Sequence, residues 1–240
     1  MGKKIISFSL FGSGRIYLEG AIENIEYAAK YYPGWICRFY TAKNCPAISI
    51  LNKLNCEVIE MPEWTGIDRT KNDWKWDLAH AGMLWRYFAI DDLAENDCVI
   101  FRDCDSRVNQ READCVQKWL DSHYLAHAIY ENKTHYNGGW MGGMWGIRSN
   151  KITGVRESIT EWIEFYKTAN HDWIFIDLQY NLNVLLPILN PFLMRFGYGT
   201  PNPLPELQDG ENPIGWVEHE NWRYEEFHLE QYMKEKNVAL

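Results

Sequence analysis

Short apolar runs alternate along the chain with stretches whose apolar positions recur at helical spacing. Ile5, Ile6, Phe8 and Leu10 make Lys4 to Leu10 a first strand, and after Phe11-Gly12-Ser13-Gly14-Arg15 the positions Leu18, Ile22, Ile25 and Ala29 predict a helix that Pro33-Gly34 stops. This is a βα unit. Trp35 to Tyr40 and Glu57 to Met61 predict two more strands, with a short helix from Pro46 to Leu54 between them. A polar stretch from Glu63 to Trp74 then leads into a helix with Trp76, Ala79, Met83 and Tyr87 in one stripe, Leu84 and Phe88 widening it and Arg86 beside it. Cys98-Val99-Ile100-Phe101 is continuously apolar, as a strand buried on both faces requires.

The second half continues the pattern. Asn109 followed by Glu112 is a capping arrangement for a helix with Ala113, Val116 and Trp119 inward, and Tyr124 to Tyr130 is a strand. Ile152, Val155, Ile159, Trp162 and Tyr166 mark an amphipathic helix with Asn150 as its expected cap. Asp177 and Gln179 open another helical stretch that Pro187 and Pro191 end. From Gly197 to Trp222 the chain is rich in Pro, Gly, Asn and Glu, a lid or arm, and a polar helix follows to Met233. Strands alternating with helices predict an α/β fold with a mostly parallel central sheet flanked by helices. No linker or charge block interrupts 240 residues, so one domain is expected, with halves at about 1–107 and 108–222 and a C-terminal helix at 223–240.

Composition narrows the chemistry. A net charge of -9 argues against nucleic acid as a partner, so an anionic substrate needs a metal or locally placed arginines. The six cysteines show no Cys-x-x-Cys spacing, which speaks against zinc and for reduced thiols. Met1-Gly2-Lys3-Lys4 is followed by a strand-length apolar run without a cleavage site, and Asp177, Gln179, Asn181, Asn183 and Asn190 interrupt the apolar stretch near the end. A cytoplasmic protein without a membrane span is therefore expected, in the host cytoplasm if the source is a virus. Gly12-x-Gly14 lacks the third glycine of a dinucleotide fingerprint, because Tyr17 stands in its place.

Two stretches carry the candidate chemistry. Asp103-Cys104-Asp105 follows the buried strand directly, so both carboxylates share one side of its end, where an open α/β sheet binds ligands; a hard divalent cation suits them and would neutralise a phosphate. Otherwise they are two solvated turn aspartates. The second stretch, His135 to Gly146, holds five glycines among the nine residues from Gly138 to Gly146, with Trp140, Met144 and Trp145 interleaved. Its backbone can come close to a sugar while the rings supply flat surface, or it is a tight packing turn.

Taken in order, Gly82-Met83-Leu84-Trp85-Arg86-Tyr87-Phe88, Phe101-Arg102-Asp103-Cys104-Asp105-Ser106-Arg107 with Arg111-Glu112 and Trp119, His127, His135, Gly142-Gly143-Met144-Trp145-Gly146, and Asp177 with Gln179 resemble the motifs of GT-A glycosyltransferases. The likeness is nearest to small enzymes of bacteria and large DNA viruses that build surface glycans. It implies a GT-A fold and transfer of a sugar from a nucleoside-diphosphate sugar, UDP- rather than GDP-linked, to a glycan or other hydroxyl acceptor. Asp103 and Asp105 are implied as ligands of Mn²⁺ or Mg²⁺ with His219 as a third, and Ser9, Leu10, Gly12, Arg86, Asp103, Asp105 and Arg107 as the nucleotide-sugar site. His135, Gly142, Gly143 and Trp145 are implied on the acceptor and sugar side, and Asp177 and Gln179 beneath the sugar as catalytic residues, although Leu178 separates that pair here. The arrangement leans towards retention of anomeric configuration. The alternatives are a non-catalytic sugar- or nucleotide-binding module of the same fold and an Asp-x-Asp phosphatase; the latter expects Thr or Val where Arg107 stands.

Overall fold

Among the described residues seven strands form one sheet in the order β3-β2-β1-β4-β6-β5-β7. They are β1 (Lys4–Leu10), β2 (Ile36–Ala42), β3 (Cys56–Met61), β4 (Cys98–Arg102), β5 (Ala126–Tyr130), β6 (Trp145–Arg148) and β7 (Leu193–Gly197). All neighbouring pairs are parallel except those of β6, which runs against both β4 and β5. The structure, a computed structural model, describes residues 2–11, 14–61, 78–131, 140–148, 152–169, 176–217 and 228–236. The expected α/β architecture with a mostly parallel sheet is present.

Alternation along the strands feeds two cores. Ile6, Phe8, Leu10 and Ile100 face α1 (Arg15–Tyr31) and α3 (Gln110–Leu120), where Leu18, Ile22, Val116 and Trp119 are buried against them; α2 is the short Ile48–Leu51. Ile5, Val99 and Phe101 point the other way, onto Leu84, Tyr87 and Ile90 and onto Ile159 and Ile163 of α4 (Val155–Ala169). Each large apolar side chain so enclosed contributes roughly 1.5–3 kcal/mol.

Several elements differ from the sequence expectation. The segment Leu78–Asp92 is wound as a 3₁₀ helix, so its innermost row follows a threefold period, Ala81, Leu84, Tyr87 and Ile90, each with no exposure, rather than the stripe through Met83. Helix α4 begins at Val155, and its cap comes from a distant carboxylate: Asp91 Oδ1 accepts from Val155 N at 3.0 Å and Oδ2 from Arg156 N at 2.8 Å. Asn150, the expected cap, lies outside the described residues. β6 and β7 were not foreseen as strands, because one is four residues long and the other follows prolines. The Asn109 cap of α3 is as expected, its Oδ1 accepting from Glu112 N at 2.9 Å. Helices α5 (Ile176–Tyr180) and α6 (Leu186–Leu189) flank a π-turn, Asn181–Leu185, and α7 is Leu229–Lys236.

All six thiols are free, and burial pushes those of Cys45 and Cys98 up to about 11, which keeps them protonated. Among the described residues no helix is long and apolar enough to cross a membrane. His127, on β5, has no exposure and lies beside the Trp119 ring at 4.6 Å between centroids; burial first, then Arg102 and Arg148, hold it well below the ordinary 6.5.

Two predictions follow from these contacts. Asp91→Ala removes both acceptors from the first turn of α4 and is expected to cost about 1 kcal/mol, read from urea unfolding; an unchanged midpoint would show that α4 caps itself. For His127, the unfolded chain takes up a proton below about pH 6.5 and the folded chain does not. The unfolded state thus binds more protons, and acidification lowers stability by up to ~1.4 kcal/mol per pH unit. Urea titrations of the parent and of His127→Gln from pH 7 to pH 5 should diverge, the parent losing more; parallel curves would contradict this.

Candidate active site

After β1 the chain moves out through β2 and β3, then returns to lay β4 on the other side of β1. The β1/β4 boundary is therefore where the winding direction switches, and the crevice beyond the carboxyl ends of these two strands is the natural ligand position. Ser9 and Leu10 end β1 there, and Asp103 and Asp105 follow β4. Cys104 turns inward, its Sγ 3.5 Å from Ser9 O, while Asp103 and Asp105 remain partly open, Asp103 with 48% of its side chain exposed.

Arg86 joins the separate parts of this crevice. Its guanidinium is 3% exposed; Nη1 donates to Asp103 Oδ1 and, at 3.2 Å, to Arg102 O, while Nη2 donates to Asp177 Oδ2 at 2.6 Å. Two serines on one face of β1 fix the arginine's backbone. Ser9 Oγ accepts from Arg86 N at 2.9 Å, and Ser7 Oγ donates to Arg86 O at 2.7 Å. Burial alone would lower the arginine's pKa, but Asp103, Tyr87 and Asp177 outweigh it and keep the group charged. Burial raises Asp177 above the usual carboxylate range and Asp103 adds to this, with Arg86 and the Leu178 amide opposing.

Gly142 and Gly143 close over these groups. A Cβ on Gly142 would overlap Asp177 Oδ2 and stand 2.7 Å from Arg86 Nη2, and one on Gly143 would overlap Asp103 Oδ2, so only glycine lets the backbone lie there. Tyr87 Oη donates to Gly142 O at 3.1 Å, and Asn181 Nδ2 donates to Trp140 O at 3.1 Å. Asn181, fully buried, was missed by the sequence reading. Its position four residues after Asp177, on the same helical face, was the available signal.

Other expected residues stand elsewhere. Gln179 does not join Asp177, because two residues along a helix turn it about 200° away; its Oε1 accepts from Asn183 Nδ2 at 3.1 Å instead. Trp145 offers no surface to a sugar: it is fully buried on β6, opposite Phe101, with rings 4.3 Å apart. Arg107 turns to α1, where Nε and Nη2 both lie 2.9 Å from Glu23 Oε2 and Nη1 donates to Cys104 O at 3.0 Å. Asn24 ties down the same loop, its Nδ2 donating to Ser106 O at 2.8 Å. Gly12, His135 and His219 lie outside the described residues.

The arm that follows β7 crosses this end of the molecule. Arg111, paired with Glu131 at 3.2 Å, donates to Pro205 O at 2.5 Å, and Ile214 N donates to Glu131 Oε2 at 3.2 Å. An antiparallel bridge then sets Val217 against Ser106, next to Asp105. Among the described residues no three His, Cys, Asp or Glu side chains gather into a metal-binding group. Two hard carboxylates at an open crevice nevertheless fit Mg²⁺ or Mn²⁺, ions that take one or two carboxylates and complete their coordination with substrate phosphates and water.

No protein-family model matches the chain, and no curated protein matches it in sequence. The chain is similar to a number of solved structures, among them three that are each 12% identical. One, from Desulfovibrio desulfuricans G20, is described as a nucleotide-diphospho-sugar transferase; the match covers 81% of this chain and 80% of that one with a TM-score of 0.41. A mannosyltransferase from Pyrobaculum calidifontis, solved with GDP-Man and Mn²⁺, matches over 61% of this chain and 44% of its own at 0.41. The apo-form glycosyltransferase GlyE of Streptococcus pneumoniae TIGR4 matches over 79% and 44% at 0.46. The chain thus spans less than half the length of the last two.

The close approach of Gly143 to Asp103 predicts that Gly143→Ala lowers stability by about 1–3 kcal/mol, as overpacking does, in urea unfolding. A variant as stable as the parent would mean that the loop gives way freely.

Proposed function

We propose that this chain is a metal-dependent glycosyltransferase that moves a sugar from a nucleoside-diphosphate sugar to a hydroxyl of a glycan acceptor. The observation that carries the reading is the convergence of Asp103, Asp177 and a buried, charged Arg86 at the switch point of the sheet, under a backbone that has no side chains of its own.

Asp103 and Asp105 hold Mn²⁺ or Mg²⁺ in this reading, with His219 as a further ligand. When bound, the ion supplies positive charge against the negative charge that develops on the departing diphosphate. Ser9, Leu10 and Gly12 border the nucleotide, and Gly142, Gly143 and His135 border the sugar and the acceptor. Arg86 orients the Asp103 and Asp177 carboxylates and adds fixed positive charge beside the phosphates. Arg107 fixes the Asp103–Arg107 loop to α1 through Glu23, which shapes the nucleotide side without touching it.

Both oxygens of Asp177 are engaged, Oδ2 by Arg86 and Oδ1 by Leu178 N at 2.8 Å. A carboxylate so held is a poor general base for an acceptor hydroxyl and a good stationary negative charge for an oxocarbenium-like sugar. This supports retention, in which the departing phosphate oxygen accepts the acceptor's proton.

Asp105→Asn tests the proposal. Asn preserves shape and local hydrogen bonding but lacks the charge, so melting should stay within a few degrees of the parent. Turnover of UDP- or GDP-sugars with Mn²⁺ should fall on the order of 10² to 10³, as for loss of a main electrostatic stabiliser. Full turnover in a well-folded variant would show that Asp105 is no metal ligand and take away the central support of the metal-dependent reading. If the parent binds nucleotide sugars and turns none over, the non-catalytic binding module replaces the transferase.

A further inference from the structure

The residue before Asp103 is a buried arginine at a position where an apolar residue would continue the strand. Arg102 is the last residue of β4, and its side chain goes to the α1/α3 face, opposite the Arg86 side, with 3% exposure. Its Nε lies 2.6 Å from Glu112 Oε1, and Glu112 is 1% exposed. The same oxygen accepts from Tyr32 Oη at 2.6 Å. On the other side Arg102 Nη1 donates to Gly143 O at 2.9 Å and to its own strand at Phe101 O, 2.6 Å. The group therefore joins the end of α1, the first turn of α3 and the loop that precedes β6.

Such an ion pair is a poor way to gain stability, because removing both charges from water offsets most of their attraction. What it does provide is direction. The planar guanidinium is gripped by Glu112 and presents one N–H to the carbonyl of Gly143, the glycine whose Cα lies against the Asp103 carboxylate. Burial works against the arginine's charge, and Glu112 and Tyr32 more than restore it, while burial and Glu112 keep the Tyr32 hydroxyl protonated as a donor.

We propose that Arg102, held by Glu112 and Tyr32, is a positioning residue that fixes the Gly142–Gly143 backbone against Asp103 and thereby sets the carboxylate for the metal and the diphosphate. It touches neither. The inference rests on the transferase reading for its ligand, though not for the loop geometry. Groups that orient a metal ligand from behind cost 10–100-fold in affinity or activity when lost.

The test replaces the whole network by apolar groups of similar size, Tyr32→Phe with Arg102→Met and Glu112→Leu, which leaves no orphaned charge or hydroxyl. This triple variant should melt close to the parent while its affinity for UDP or GDP in the presence of Mn²⁺, measured by calorimetry, drops 10–100-fold. Equal affinity with an equal melt overturns the proposal. Should the triple variant fail to fold, Arg102→Lys keeps the charge beside Glu112 but has no fork to reach Gly143 as well. In that variant, amide hydrogen exchange across residues 141–144 should accelerate while β1 to β3 stay protected. Unchanged exchange there also overturns the proposal. A parent that binds neither nucleotide with Mn²⁺ sinks the transferase reading instead, and exchange then decides the positioning role by itself.

Discussion

One guanidinium shared by two carboxylates governs the open end of this sheet. Arg86 is enclosed, so its charge is tolerable only because Asp103 and Asp177 approach it from two elements distant in sequence. Taking away either carboxylate would leave a buried charge short of a partner, and taking away the arginine would leave two like charges close together. The three residues therefore hold one another in place. The path of the 3₁₀ segment over β1, the entry of α5 and the course of the glycine loop all follow from that mutual requirement.

The sheet separates two polar systems that share a loop. On one face Arg86 reaches the acidic groups directly; on the other Arg102 grips Glu112 and reaches the carbonyl of Gly143. Gly143 lies between them, pressed on one side by Asp103 and held on the other by Arg102. Because the interior is close-packed, and because Arg86 Nη1 also donates to Arg102 O at 3.2 Å, a shift at one arginine is felt at the other.

Much of this was legible before any coordinates. The apolar positions of Lys4 to Leu10 and the unbroken run Cys98 to Phe101 identified the central strands, four apolar residues in a row being what a strand covered on both faces carries. Asn109 declared its cap through Glu112. The acidic pair stands at the carboxyl end of a buried strand, as expected, and the strand order adds that this is where the sheet's winding reverses. What escaped has physical causes. A 3₁₀ winding cannot be told from an α-helix when almost every side chain from Ala81 to Ile90 is buried and no polar face marks the period. The cap of α4 comes from Asp91, more than sixty residues away, and no local signal announces it. Trp145 looked like a sugar platform because glycines surround it, but strand pairing with Phe101 turns its ring into the core. Gln179 was grouped with Asp177 by adjacency, whereas helical geometry favours Asn181.

The reversed strand has a consequence for how such a crevice can vary. In a purely parallel sheet, residues reach the carboxyl end only by leaving strands. Here β6 runs the other way, so the chain arrives at the same end before the strand begins, and Gly142 and Gly143 belong to that arrival. The pairing of Phe101 with Trp145 fixes the register downstream and is indifferent to the length of chain upstream of Trp140. A lineage of such proteins is thus free to lengthen, shorten or rewrite that approach while the sheet beneath remains in register.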